Sequence, residues 1–185
     1  MEIVVGISGA SGVQYGIRLL EALKAKGCTT HLIITDSARK IIEIETSTPA
    51  REVEGLAAHV YAPKDFSASV ASGSHLFDAL VVIPCSMGTL SGIACGSSDT
   101  LITRCADVCL KEKRRLILVP RETPLSLIQI RNMVAASEAG AVILPACPAF
   151  YSQPKSLAEL VDVLVGRVLD LLGLENDLYK RWEGE

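Results

Sequence analysis

Ile3-Val4-Val5-Gly6-Ile7-Ser8-Gly9-Ala10-Ser11-Gly12 opens the chain as a buried strand that runs straight into glycines and hydroxyls. The periodicity from Val13 then predicts a helix, with Val13, Ile17, Leu20 and Leu23 on one face. A strand, a glycine turn and a helix in that order present backbone N–H groups to an anion. The helix dipole adds about half a positive charge at the same place. The glycines remove Cβ atoms that would hold a phosphate away. The order is G-x-x-G-x-x-G rather than the dinucleotide G-x-G-x-x-G, and the lysine of a P-loop is missing. Two readings stay open on this stretch alone: a phosphate cradle, or a tight turn with no ligand.

The rest of the chain repeats the alternation. Apolar runs at His31–Thr35, Ala79–Ile83, Leu116–Val119 and Ala141–Leu144 read as strands, the second of them continuous enough to be buried on both faces. Helices are predicted over Val13–Lys26, over Ser126–Gly140 with the capping box Ser126-Leu127-Ile128-Gln129, and over Ser156–Leu172. Thr48-Pro49 predicts a helix start with proline at the first helical position. Pro63–Gly73 reads as a Ser/Ala loop. The expected fold is therefore a single-domain α/β, three-layer, doubly wound parallel sheet of the flavodoxin/Rossmann-like kind, spanning residues 1–185. The tail of about 174–185 holds the only Trp, Trp182. It is expected to pack, at a subunit interface.

Composition narrows the function. The 185 residues are 49% hydrophobic and 21% charged, with a net charge of −3, so a nucleic-acid surface is not expected. No apolar run is long enough for a membrane span. The start lacks a basic leader, which predicts a cytoplasmic protein. The six cysteines show no C-x-x-C pair and are expected to be mostly buried, reduced thiols. Cys105 and Cys109 share a helix face, but no histidine completes a zinc site, and no metal is expected. His31, His59 and His75 show no mutual spacing and are each read as structural.

In an open α/β sheet the ligand lies beyond the carboxyl ends of the strands. Gly9, Ala10 and Ser11 come after the first strand, and Thr35, Asp36 and Ser37 after the second. Pro84-Cys85-Ser86-Met87-Gly88-Thr89 succeeds the third, Pro120-Arg121-Glu122-Thr123-Pro124 the fourth, and Pro145 to Tyr151 the last. Asp36 stands where a dinucleotide fold places its ribose-binding acid, but the glycine order favours an ordinary helix-start acid. Arg121-Glu122, held between two prolines, is aimed rigidly. The arginine suits a phosphate or a polar ring edge, and the glutamate suits proton transfer.

Taken together, these segments resemble the flavin prenyltransferases of the UbiX type. The resemblance rests on Gly9-Ala10-Ser11-Gly12 with Tyr15-Gly16, on Pro84 to Leu90, and on Arg104 to Glu112. Val119 to Pro124, Pro148 to Tyr151 and Arg181-Trp182 complete it. It implies binding of reduced FMN and its alkylation by dimethylallyl monophosphate at N5 and C6, without metal. The prenylated FMN would pass to UbiD-type decarboxylases, with a flavin reductase upstream and a homo-oligomer, a dodecamer, as the assembly. By resemblance, Gly9, Ala10, Ser11, Thr35, Ser86, Met87, Gly88, Thr89 and Arg121 would hold FMN. Lys111, Tyr151 and Arg167 would grip the prenyl phosphate, with Arg104, Glu45 and the aromatic Phe66 near the site. Glu122, Ser11 and Lys111 would be catalytic. The competing readings are an FMN-dependent cysteine decarboxylase on the same fold, whose expected asparagine is missing between Pro84 and Thr89, and a non-catalytic flavin carrier.

Overall fold

The computed structural model describes residues 1–184; Glu185, the last residue of the expected tail, lies outside them. Six strands form one sheet: β1 (Glu2–Ile7), β2 (Thr29–Ile34), β3 (His59–Tyr61), β4 (Ala79–Cys85), β5 (Arg115–Pro120) and β6 (Val142–Ile143). Their order is β3-β2-β1-β4-β5-β6 and every pair is parallel. The order reverses between β1 and β4, so the crevice at their carboxyl ends is the switch point where such sheets bind ligands.

Seven helices flank the sheet: α1 (Val13–Ala25), α2 (Asp36–Thr46), α3 (Ala50–Glu54), α4 (Met87–Ala94), α5 (Leu101–Lys111), α6 (Leu127–Glu138) and α7 (Leu157–Leu172). Alternate strand residues feed two cores. Ile3, Val5 and Ile7 pack with α1, α2 and α7, while Val4, Leu80 and Val82 pack with α4 and α5. Leu19, Leu20 and Leu23 of α1 are fully buried, each worth about 1.5–3 kcal/mol of transfer free energy.

Local chemistry sets the boundaries. Ser126 caps α6 with the reciprocal Gln129 box, and Ser156 caps α7. Thr100 and Thr103 form a second box on α5. Pro49 is the N-cap of α3 rather than its first helical residue; its extended backbone ends the approach, and Ala50 begins the helix. Strand β3 is an addition to the expected set. It is three residues long, polar and on the sheet edge, so it carries no buried-strand signature. The Pro63–Gly73 loop contains one 3-10 turn at Ser69–Ala71.

Half of the thiols, not most of them, are buried. Cys85, Cys105 and Cys109 are enclosed, Cys28 is intermediate, and Cys95 and Cys147 are exposed. Residues 174–181 dock on their own α7: Asn176 Nδ2 donates to Gly166 O (3.2 Å) and Asp170 Oδ1 (2.9 Å), and Tyr179 OH donates to Asp170 Oδ2 (2.7 Å). Arg181 adds a two-pronged pair to the same carboxylate at 3.1 and 2.7 Å. No helix of the described residues is long and apolar enough to cross a membrane.

Candidate functional site

The carboxyl ends of β1 and β4 are stapled by one hydroxyl. Ser8, fully buried, donates its Oγ–H to Pro84 O (3.0 Å) and accepts the Ser86 N–H (2.7 Å). That fixes the two segments lining a cleft of about 440 Å³: the turn Gly9-Ala10-Ser11 and the start of α4 at Ser86-Met87-Gly88, with Arg121 and Glu122 closing one side. Its volume suits a small ligand. The larger hollow among the described residues, about 670 Å³, lies at the amino-terminal strand ends between Met1, Arg114 and Gly140. It lacks the convergent N–H groups and hydroxyls of the switch-point cleft.

The cleft is built for polar recognition. Ser86 caps α4 by accepting the Thr89 N–H (3.3 Å) and donates its hydroxyl proton to Thr89 Oγ1 (3.1 Å). The N–H groups of Gly9, Ser11, Met87 and Gly88 find no acceptor among the described residues. A Cβ built on Gly88 meets nothing within 4 Å, so the space beside it belongs to the cleft. Free backbone donors and hydroxyls around open space are what the polar edge of a small ligand such as FMN requires.

Two of the glycines also serve the packing of the chain itself. A Cβ at Gly9 would overlap the Ser37 side chain at the start of α2. Thr35, the α2 N-cap, accepts the Ala38 N–H (3.2 Å) and shares a hydrogen bond with Ser37 Oγ (3.2 Å). Gly9 thus lets α2 approach the turn. Gly12 is the left-handed N-cap of α1, at φ 97°. The N-terminus of α1 is already occupied: Glu45 Oε2 accepts the Gly12 and Val13 N–H groups at 2.9 and 3.3 Å.

Two further hollows adjoin the cleft through shared wall residues. Arg121 and Glu122 also line one of about 310 Å³ that reaches Met133 and Cys147. Cys147 in turn lines another, of about 250 Å³, which contains Tyr151 and Arg167. Neither Arg121 nor Glu122 is ion-paired among the described residues, and Glu122 Oε1 accepts the Thr123 N–H (3.0 Å). Tyr15, half-buried beside this groove, has its phenol pKa raised by burial and by Cys147, against the opposing charge of Arg121. Arg167 faces the docked tail, with weak contacts at 3.5 Å to Asp170 and 3.4 Å to Tyr179 OH. Trp182 lies edge-on to Tyr151, ring centroids 5.7 Å apart.

The single chain therefore brings together Gly9, Ala10, Ser11, Ser86, Met87, Gly88, Arg121 and Glu122, and continues to Tyr151 and Arg167. Thr35, Thr89 and Glu45 support the cleft from behind. Lys111, Arg104 and Phe66 line none of the three hollows. Lys111 ends α5 just before β5, at the opposite edge of the sheet, and pairs with Glu112 at 2.6 Å. Arg104 bonds Ala71 O (3.0 Å) and Asp107 (2.7 Å). Sequence reasoning passed over Ser8 as a positioning residue. Its one usable signal was a hydroxyl at the end of an otherwise apolar strand.

Comparison with known proteins agrees with this architecture. The Flavoprotein family model matches residues 1–169. Flavin prenyltransferase UbiX of Thermoplasma acidophilum is 53% identical over 182 residues, 98% of this chain and 100% of that protein. The crystal structure of AnUbiX (PadA1) in complex with FMN and dimethylallyl pyrophosphate superposes with a TM-score of 0.98 at 47% identity, covering 100% of this chain and 98% of that one. A dodecameric FMN-dependent UbiX-like decarboxylase from Escherichia coli O157:H7 superposes at 0.97 with 46% identity, covering both chains fully (100% and 100%). With the switch-point cleft, its unpaired N–H groups and these relatives in view, the chain belongs to the flavin prenyltransferases of the UbiX type, within the flavoprotein family.

Proposed function

We propose that this enzyme transfers the dimethylallyl group of dimethylallyl monophosphate to N5 and then C6 of reduced FMN, without metal, and that the prenylated FMN serves UbiD-type decarboxylases. The carrying observation is a row of three hollows with shared walls. Arg121 and Glu122 line both the cleft beside Gly9 and Gly88 and a second hollow, and Cys147 lines that one and a third with Tyr151 and Arg167. A ring held at one end and a phosphate held at the other place the allyl carbon over the ring edge, which is the orientation that makes transfer intramolecular in effect.

Reduced flavin supplies the nucleophile. The chain supplies position and charge. N–H groups of Gly9, Ser11, Met87 and Gly88 bind the acceptor, with Ala10 in the same turn and Thr35 and Thr89 behind it. Arg167 and the Tyr151 hydroxyl stabilise charge on the departing phosphate. Closing the bond at C6 adds a proton to one carbon of the prenyl double bond, joins the other carbon to C6 and releases the C6 proton; Glu122, in the wall shared by the two hollows, would deliver the one proton and take back the other, assisted by Ser11.

Lys111 and Arg104 come from a neighbouring copy in this reading. Two observations support that. Both side chains are off the groove of their own chain, and α6 exposes Leu127, Ile128, Ile130 and Val134, an apolar face suited to a homo-oligomer contact. The dodecameric relative sets the expected assembly, with Phe66 and the docked tail at the contacts. A separate flavin reductase delivers reduced FMN.

The test is an anaerobic mixture of protein, reduced FMN and dimethylallyl monophosphate, with the diphosphate in a parallel arm and a chelator in both. Mass spectrometry of the extracted flavin should show one added C5 prenyl unit in the monophosphate arm. Glu122→Gln should keep FMN bound while slowing turnover by about a hundredfold or more. Unaltered FMN in both arms, from folded and flavin-loaded protein, would overturn the reading; product from the diphosphate alone would overturn the donor assignment.

A further inference from the structure

Three residues that sequence spacing leaves unrelated meet at the amino-terminal ends of the strands, opposite the carboxyl ends that carry the cleft of the same chain. Glu2 opens β1, His31 is the third residue of β2, and His75 hangs from the loop before β4. Glu2 Oε1 lies 2.8 Å from His31 Nε2 and 2.7 Å from His75 Nε2. The three ligand atoms fall within 4.8 Å of one another. The sequence shows no spacing that joins the three histidines, yet parallel pairing of β2 with β3 also stacks His59 on His31 at 4.7 Å.

The donors are held in place from behind. The His31 side chain is 4% exposed, and its Nδ1 lies 3.0 Å from Tyr61 OH, which reaches Ser69 Oγ at 3.4 Å. The His75 loop is fixed by Arg114, whose guanidinium donates to His75 O (2.8 Å) and Gly73 O and lies over the Phe77 ring at 4.6 Å. Asp78 anchors Glu2 by accepting its N–H at 2.7 Å.

We propose that Glu2, His31 and His75 form a site for one divalent transition-metal ion of the zinc type, separate from the prenyl-transfer groove. Two imidazole nitrogens and one carboxylate favour zinc-like ions over magnesium or calcium. The ion takes the Nε2 lone pairs, and each ring then carries its proton on Nδ1. For His31 that proton is donated to Tyr61 OH, the outer-shell bond that fixes a metal-binding tautomer. Tetrahedral zinc, with bonds of about 2.0–2.1 Å, sets ligand atoms about 3.3 Å apart. The atoms must therefore open from 2.7–2.8 Å. Glu2 and His75, 32% and 31% exposed, have the freedom to do so and leave a fourth position to water.

The experiment uses tag-free, chelator-stripped full-length protein titrated with Co²⁺ and then Zn²⁺. The expected result is one Co²⁺ per chain, with the visible bands of a four-coordinate site, displaced by Zn²⁺. Glu2→Gln and His75→Ala, both at partly exposed positions, should abolish that uptake while binding FMN as wild type does. Tyr61→Phe should weaken it about tenfold. Absence of stoichiometric uptake, or uptake unchanged in both ligand variants, overturns the proposal and leaves the cluster a hydrogen-bonded network.

Discussion

Replacing Ser8 by alanine tests how the switch-point cleft is held open. Ser8 is 0% exposed. Its Oγ–H donates to Pro84 O at 3.0 Å, and its oxygen accepts the Ser86 N–H at 2.7 Å. The Pro84 carbonyl keeps a second donor, the Ser8 N–H at 3.2 Å. The Ser86 N–H has no such reserve and becomes the orphan. An unsatisfied buried donor costs about 1–3 kcal/mol. For a chain of this length each kcal/mol moves Tm by about 2–4 °C, so the apo protein should melt about 2–12 °C lower. Ser86 also caps α4, whose first N–H groups line the cleft. A positioning loss of about 1 kcal/mol there weakens FMN binding about fivefold. Scanning fluorimetry and quenching of FMN fluorescence read the two effects separately. An unchanged Tm together with unchanged FMN affinity would refute the staple.

Gly9→Ala should weaken FMN binding by about tenfold or more, because its Cβ overlaps Ser37; adding Ser37→Gly should restore part of the loss, and no restoration would show that the contact is not the cause. Burial pushes the Cys85, Cys105 and Cys109 thiols up to about 12, so iodoacetamide at pH 8 should leave all three unlabelled in native protein, as peptide mass mapping would report. Burial raises the Asp170 pKa, but bonds from Arg181, Tyr179 and Asn176 outweigh it and hold the carboxyl below its ordinary 3.8. The stability it lends the tail is complete above that ordinary value and is lost as pH falls through the depressed one, so Trp182 anisotropy should stay level to about pH 4 and drop below it. Loss of anisotropy already at neutral pH in Asp170→Asn would confirm the carboxylate as the anchor, and no loss would remove it from that role.

The buried strands are legible because both faces of a parallel sheet demand continuous apolar runs, as in Ala79–Ile83. The caps of α6 and α7 are equally plain, since Ser126 and Ser156 announce themselves by side-chain chemistry. Strand β3 is hidden because an edge strand of His59, Val60 and Tyr61 has one pairing neighbour and little to bury. The groove residues can be picked out because every strand of a parallel sheet delivers its next few residues to the same edge. The contacts of Glu45 with the α1 N-terminus, of Ser8 with β4 and within the histidine cluster are not legible, for one reason. Each joins segments whose proximity is decided by strand order, and strand order leaves no local trace.

The carboxylate of Glu45 on the first N–H groups of α1 has a consequence for selectivity. The most electropositive end of that helix is satisfied internally, by an anion the chain cannot lose. A small free anion arriving at the glycine turn meets a neutralised dipole and a nearby negative charge, so phosphate or sulfate alone has little to gain there. In the proposed reading a flavin nucleotide would reach the remaining donors at Gly9, Ser11, Met87 and Gly88 together, with ring and phosphate contributing at once. On that reading Glu45 would make the turn a discriminator between the abundant bare anion and the scarce nucleotide that carries one.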